Sequence, residues 1–206
     1  IYITEKVKIT EEEVSFDEVS EAIVKAVEGV INHPKMGAGA LGAVQNDGTL
    51  KRITKSTTSG KVLLEGKAIN NSEFANARTQ SPTIIATDPS DDSIHTECFG
   101  PLVYLIKTKA TSESISLAAQ SGKEQGAITC LAFTTDDETK TVIKTAMNNV
   151  FVPVSFNMTG AGMVNQHAAF SDLHGTGGNP AGNASFTDPT FINKRFVWVG
   201  NRWMGI

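Results

Sequence analysis

The chain has 206 residues, 40% hydrophobic and 19% charged, which is the balance of an ordinary globular protein with enough apolar side chains for a sizeable core. Its net charge of −4 and its scattered Lys and Arg residues provide no basic field for phosphate backbones, so nucleic acid is excluded as a natural partner. Two cysteines, Cys98 and Cys130, are too few for a disulfide framework and point to a reducing, cytoplasmic setting, while no apolar run approaches the roughly 20 residues of a membrane span.

In chain order, the β-branched alternation of Ile1 to Val7 reads as a strand that leads into an acidic loop, Glu11 to Glu13. The chain opens directly on Ile-Tyr-Ile without an initiator Met, as the middle of a longer protein would. Ser15 followed by Glu18 makes a capping box, and Val19, Ile23, Val27 and Val30 supply the apolar stripe of a helix closed by His33-Pro34. Gly37, Gly39 and Gly42 form a flexible stretch before a second helix, Asp47 to Ser59, stopped by Gly60.

Lys61 to Leu64 reads as a buried strand. Pro82-Thr-Ile-Ile-Ala-Thr and Leu102-Val-Tyr-Leu-Ile read as two strands of one sheet. A helix over Ser112 to Lys123, a strand over Ala127 to Phe133, a helix over Asp136 to Asn148 and a strand over Val150 to Phe156 follow. Strands that alternate with helices across short connections predict an α/β fold, a mostly parallel sheet flanked by helices, in one compact domain. After Asn157 the periodicity gives way to a Gly/Asn/His-rich segment, Gly160 to Gly182, and then to a terminal aromatic strand, Arg195-Phe-Val-Trp-Val.

Most familiar site chemistries fail on spacing. Ser59-Gly-Lys and Ser121-Gly-Lys lack the flanking residues of a P-loop, and Gly175-Thr-Gly-Gly-Asn-Pro has no strand before it, which favours a surface loop over a phosphate cradle. His33, His95, His167 and His174 show no i,i+4 pair, so no metal site is expected. Ser171, Asp172 and His174 lie close together but without a nucleophile elbow around the serine. Cys130 sits within an apolar strand as a small buried hydrophobe; Cys98 stands beside Glu97, whose carboxylate would raise rather than lower its thiol pKa. The triplets at Asn70, Asn157 and Asn183 would accept glycans only in a secreted chain.

One stretch is more specific. Pro82-Thr-Ile-Ile-Ala-Thr-Asp-Pro-Ser-Asp-Asp-Ser-Ile-His-Thr-Glu-Cys-Phe-Gly-Pro-Leu-Val resembles the aldehyde dehydrogenase superfamily segment in which a Pro-Thr strand leads to Glu-x-Phe-Gly-Pro. Gly60-Lys-Val-Leu-Leu-Glu-Gly before it and Cys130-Leu-Ala-Phe-Thr after it match their family counterparts in order, and the similarity runs from about Ile1 to Phe156.

The resemblance implies an aldehyde dehydrogenase catalytic-domain fold, present in part over residues 1–206, with a terminal interface segment at about 157–206. It implies that Glu97 hydrogen-bonds the nicotinamide ribose, that Phe99 lines the nicotinamide pocket, and that Gly100 and Pro101 shape the turn, with Cys98 at a position usually held by an aliphatic residue. The nucleophilic cysteine is expected upstream of Ile1, together with the dinucleotide-binding domain. The fragment alone is then inactive and binds no cofactor, whereas its full-length parent uses NAD or NADP on a small aldehyde to make an acid or thioester. Family members pair through this domain, so a homo-oligomer is implied, with Phe196, Trp198 and Trp203 as candidate surface residues. The ending Ala169-Phe-Ser-Asp-Leu-His-Gly-Thr-Gly-Gly-Asn-Pro-Ala-Gly departs from the usual Pro-Phe-Gly-Gly loop and resembles a divergent branch associated with phenylacetate breakdown. The rival readings are a catalytically dead relative that serves as a binding or assembly module and a Ser171/His174 hydrolase.

Overall fold

The structure is a computed structural model that describes residues 1–34, 37–70, 74–96, 98, 100–127, 129–158 and 199–204. The chain divides into two compact units, Ile1–Ser114 and Ile115–Ile206. Both are α/β.

The first unit holds β1 (Tyr2–Thr4), β2 (Lys6–Ile9), β3 (Glu12–Ser15), α1 (Phe16–Ile31), α2 (Gly37–Ala40), α3 (Asp47–Ser56), β4 (Lys61–Leu64), β5 (Thr83–Thr87), a 3-10 turn (Asp92–His95) and β6 (Leu102–Thr108). Four strands pair in the order β1-β6-β5-β4, parallel except for β4, which runs antiparallel against β5. Ile3, Ile84 and Leu105 on three of these strands meet Phe16 of α1, and Val19, Ile23, Val24 and Val27 extend the contact along the helix. Burial of this stripe is what holds α1 on the sheet, since isolated helices of its length are marginal in water.

The cap expected at the start of α1 is present in full. The Ser15 side chain accepts from the Glu18 amide, and the Glu18 carboxylate accepts from the Ser15 amide at 2.8 Å. These Ser15 hydrogen bonds, amide first and hydroxyl second, hold the Glu18 carboxyl below its ordinary pKa. α3 and α5 have the simpler N-cap, the Asn46 and Asp136 side chains accepting from the Thr49 and Thr139 amides.

Ser20 is the anomaly on α1. It is only 2% exposed, and its hydroxyl has no hydrogen-bond partner. A buried hydroxyl left unpaired forfeits its hydration without return, and alanine is also the better helix former. Ser20→Ala is therefore expected to stabilise the protein by about 1 kcal/mol, raising the melting temperature by roughly 2–4 °C. A lowered melting temperature would show that the hydroxyl has a partner.

Several expectations need correction. The acidic segment after the first strand is not a loop: Glu12 and Glu13 belong to β3, which forms an antiparallel hairpin with β2. Val7 pairs with Val14 across the ladder, and the exposed Lys6 meets Glu13 at 2.6 Å. Thr10 turns the hairpin with φ 55. The strand over 61–64 is an outer strand with Lys61 and Val62 exposed rather than a buried one. Gly37 to Ala40 is one helical turn instead of an unstructured stretch.

The second unit contains the greater part of α4 (Thr111–Gln125), then β7 (Cys130–Ala132), α5 (Asp137–Asn148), β8 (Val154–Phe156) and β9 (Arg202–Trp203). Its three strands pair in the order β7-β8-β9, all parallel. Ala132, Met147, Val152, Val154 and Phe156 form the core, with Ala118 and Ala119 of α4 and Ile143 of α5 packed against it.

β8 begins later than its apolar run suggests, because the run first closes α5. Val152 donates to the Met147 carbonyl at 3.0 Å while Phe151 sits in the left-handed region at φ 61, the geometry of a Schellman cap. The apolar contact that accompanies such a cap is supplied by Val152 and Met147, both in the core. A phenylalanine where glycine is usual hid this turn from the sequence.

Candidate functional site

The segment with the Glu-x-Phe-Gly-Pro motif is the connection 88–101 between β5 and β6, neighbouring parallel strands in register from Thr83↔Leu102 to Thr87↔Ile106. Glu97 and Phe99, the two residues expected to contact cofactor, lie outside the described residues; Thr96, Cys98 and Gly100 around them are described.

The connection starts with two aspartates that tie it down. Asp88 accepts from the Ser90 amide at 2.8 Å and from its hydroxyl, and the Ser90 hydroxyl and amide, in that order, hold the Asp88 carboxyl below its usual range. Asp91 uses both oxygens: one accepts from the Thr87 hydroxyl at 2.9 Å, the other from the Ser93 amide at 2.9 Å. The Ser93 hydroxyl and amide beside it lower the Asp91 pKa, with Thr87 adding to them. Of these Ser93 groups only the amide has hydrogen-bond geometry; the hydroxyl is buried and has no partner among the described residues. The 3-10 turn follows, with Ile94 donating to Asp91 and Thr96 to Ser93, each at 3.2 Å.

At the far end Gly100 has φ +139, a conformation that essentially only glycine holds. The Leu102 amide donates back to the Gly100 carbonyl at 2.8 Å, a three-residue turn, and the Pro101 carbonyl accepts from the Thr83 amide at 2.8 Å. A Cβ on Gly100 would stand 2.9 Å from Cγ2 of Thr49 and 3.1 Å from Cδ1 of Ile53. Both are buried residues of α3, and Thr49 is itself held by the Asn46 side chain. Gly100 and Pro101 thus do form the turn expected of them.

Cys98 is half-buried and unpaired. Cys130, in β7, has its thiol pushed up by burial, the opposite of an activated nucleophile. Among the described residues no three His, Cys, Asp or Glu side chains gather as a metal site, and no helix is long and apolar enough to cross a membrane. Ser171, Asp172, His167 and His174, the glycine-rich loop and the terminal aromatic strand 195–199 except for Val199 lie outside the described residues. An open groove of about 650 Å³ lined by Leu41, Ala43, Phe74, Ala75, Asn76, Ala77 and Thr79 offers walls but no titratable group.

Sequence reasoning missed the Thr87–Asp91 tie and the seat of Gly100 on α3. Asp-Asp-Ser was a visible signal for the local turn, because aspartate accepts from the amide two residues on. Nothing in the spacing linked Gly100 to Thr49.

Residues 4–172 match the Aldehyde dehydrogenase family. The chain is also similar to a solved NAD-dependent aldehyde dehydrogenase from Burkholderia multivorans, with 34% identity and a TM-score of 0.78 over 95% of this chain and 36% of that one. A benzaldehyde dehydrogenase structure from Corynebacterium glutamicum, also NAD-dependent, aligns with 22% identity and a TM-score of 0.48 over 70% of this chain and 30% of that one. No curated protein matches. The chain belongs to the aldehyde dehydrogenase family, has the α/β fold of its catalytic domain, and spans about a third of the length of the solved structures it matches.

Proposed function

We propose that this chain is the carboxy-terminal part of the catalytic domain of a nicotinamide-dependent aldehyde dehydrogenase, and that its full-length parent oxidises an aldehyde to an acid or thioester through a cysteine thiohemiacetal. The observation that carries this reading is the glycine-tight turn at Gly100, seated on α3 and placed directly after Glu97 and Phe99 in a chain of this family. Glu97 is the residue assigned to the nicotinamide ribose: a carboxylate only accepts, which suits two sugar hydroxyls. Phe99 is assigned to the wall of the nicotinamide pocket. When bound, the cofactor, NAD or NADP, supplies the hydride acceptor.

The nucleophile belongs to the parent upstream of Ile1. β1 runs parallel to β6, with Tyr2 opposite Ile106 and the Ile106 amide donating to the Ile1 carbonyl at 2.8 Å. Continuing that ladder by a few residues leads past Val103 and Leu102 to the Gly100 turn, so a cysteine at that distance would face the segment that carries Glu97. Without the upstream part the fragment is inactive and holds no cofactor. The substrate we favour is an aromatic aldehyde of phenylacetate catabolism, the setting is cytoplasmic, and the parent is a homo-oligomer that pairs through its terminal segment at about 157–206; Trp203, 74% exposed on β9, suits that surface.

The test is an assay of the full-length parent, intact and as Glu97→Gln, with aliphatic and aromatic aldehydes and either nicotinamide dinucleotide. Loss of a charge-assisted hydrogen bond is worth about 1.5–3 kcal/mol, so the variant is expected to bind cofactor about 10–100-fold more weakly. No cofactor reduction by the intact parent with any aldehyde would favour a non-catalytic binding or assembly module.

A further inference from the structure

We propose that Asp91, bonded to Thr87, is a positioning residue that sets the cofactor-contacting segment around Glu97; the inference rests on the function proposed above. β5 and β6 are adjacent parallel strands, and the described residues of their connection, 88–101, include no α-helix to brace it. A connection of this kind holds a defined course only where side chains pin it.

Two places pin it. At the exit of β5, the Asp91 carboxylate bridges the sheet and the turn: Oδ2 takes the hydroxyl of Thr87, the last residue of the strand, and Oδ1 takes the amide of Ser93 inside the 3-10 turn. At the entry to β6, Gly100 is wedged against Thr49 and Ile53. The 3-10 turn ends at His95, its Thr96 amide still bonded to Ser93, and Glu97 is the next residue. Release of Asp91 therefore frees the turn from which Glu97 departs, while Gly100 continues to hold the other end.

The chemistry favours a charge-bearing bridge over a simple turn. Both oxygens are acceptors at once; an amide nitrogen in place of Oδ1 would set a donor against the Ser93 amide, whereas one in place of Oδ2 could still donate to the Thr87 hydroxyl, so only removal of the side chain breaks both bonds. An anionic acceptor also makes the stronger hydrogen bonds, so the geometry of the turn is sharper than a neutral side chain would give. Asp91 touches neither substrate nor cofactor in this account; its effect passes through the position of Glu97.

The experiment uses the full-length parent with Asp91→Ala, Thr87→Val and Glu97→Gln, singly and with Asp91→Ala combined with Glu97→Gln. Asp91→Ala and Thr87→Val are each expected to raise the KM and Kd of the reducible nicotinamide dinucleotide by roughly fivefold to thirtyfold, leaving the KM of the aldehyde and the melting temperature little changed. In the Glu97→Gln background, Asp91→Ala should add almost nothing, because the two side chains act through one contact. A lowered melting temperature with unchanged cofactor affinity would make Asp91 merely structural and overturn the proposal. So would full additivity in the double variant. If Glu97→Gln alone leaves cofactor binding intact, the assignment of Glu97 fails and the positioning role falls with it; if only the Asp91 and Thr87 variants are silent, Glu97 stands and the positioning role alone is lost.

Discussion

Leu105→Ala is expected to lower the stability of the protein by about 2–5 kcal/mol. Leu105 is 0% exposed, lies in β6 between β1 and β5, and shares a cluster with Ile3, Ile84 and Phe16. Truncation leaves a cavity bounded by strands that are fixed by their ladders and by a helix whose main attachment is this stripe, so the site has little freedom to collapse. The cost should fall at the upper end of the range for that reason. Denaturant unfolding measures it: the midpoint should shift strongly with the slope unchanged, and a loss below about 1 kcal/mol would mean that α1 moves in to fill the space.

Gly100→Val should have an effect of similar size by a different route. A branched side chain at φ +139 costs on the order of 1–3 kcal/mol in backbone strain, and the collision with Thr49 and Ile53 adds roughly 1–3 kcal/mol of overpacking. The Thr49 side chain has little freedom to turn aside within α3, since its hydroxyl accepts from the Arg52 guanidinium at 2.9 Å. The expected outcome is a protein destabilised by about 2–6 kcal/mol, and in the full-length parent a loss of cofactor binding that exceeds what the stability change explains. Unchanged thermal stability would show that the turn can adopt another conformation.

The elements that were legible in the sequence are those whose signals are local. Ser15 with Glu18 marks a helix start within three residues, and the structure places a capping box there. The apolar runs before Thr87 and after Pro101 are short and β-branched, and they pair as parallel strands. What escaped is what depends on distant residues. The hairpin of β2 and β3 depends on its cross-strand ladder, with Val7 opposite Val14, and the exposed Lys6–Glu13 pair adds little; three consecutive glutamates give it a loop-like composition. β9 is two residues long and acquires its meaning only from pairing with β8. The pairing of strands into separate sheets is likewise a matter of partners rather than of propensity.

Within the candidate site, Gly100 and Pro101 were assigned to a turn through the family resemblance, and the structure shows that turn, with Gly100 at φ +139. Asp91 was not legible, because aspartate in a loop ordinarily solvates or caps, and only its bond to Thr87 distinguishes it. Neither Glu97 nor Phe99 carried a local physical signal; both entered through family likeness.

The sheet order also has a consequence for how the protein is made. β1 is at one end of its sheet and its hydrogen-bonded neighbour is β6, about a hundred residues later in the chain. A ribosome adding about 5–20 residues per second needs roughly 5–20 s to supply that neighbour, and throughout this interval β1 waits for β6. The β2–β3 hairpin and α1 can form locally meanwhile, but the sheet closes only when Leu102–Thr108 emerges. Assembly of the first unit is therefore timed by translation, and slowing synthesis between the codons for β1 and β6 lengthens the time for which β1 lacks its β6 neighbour.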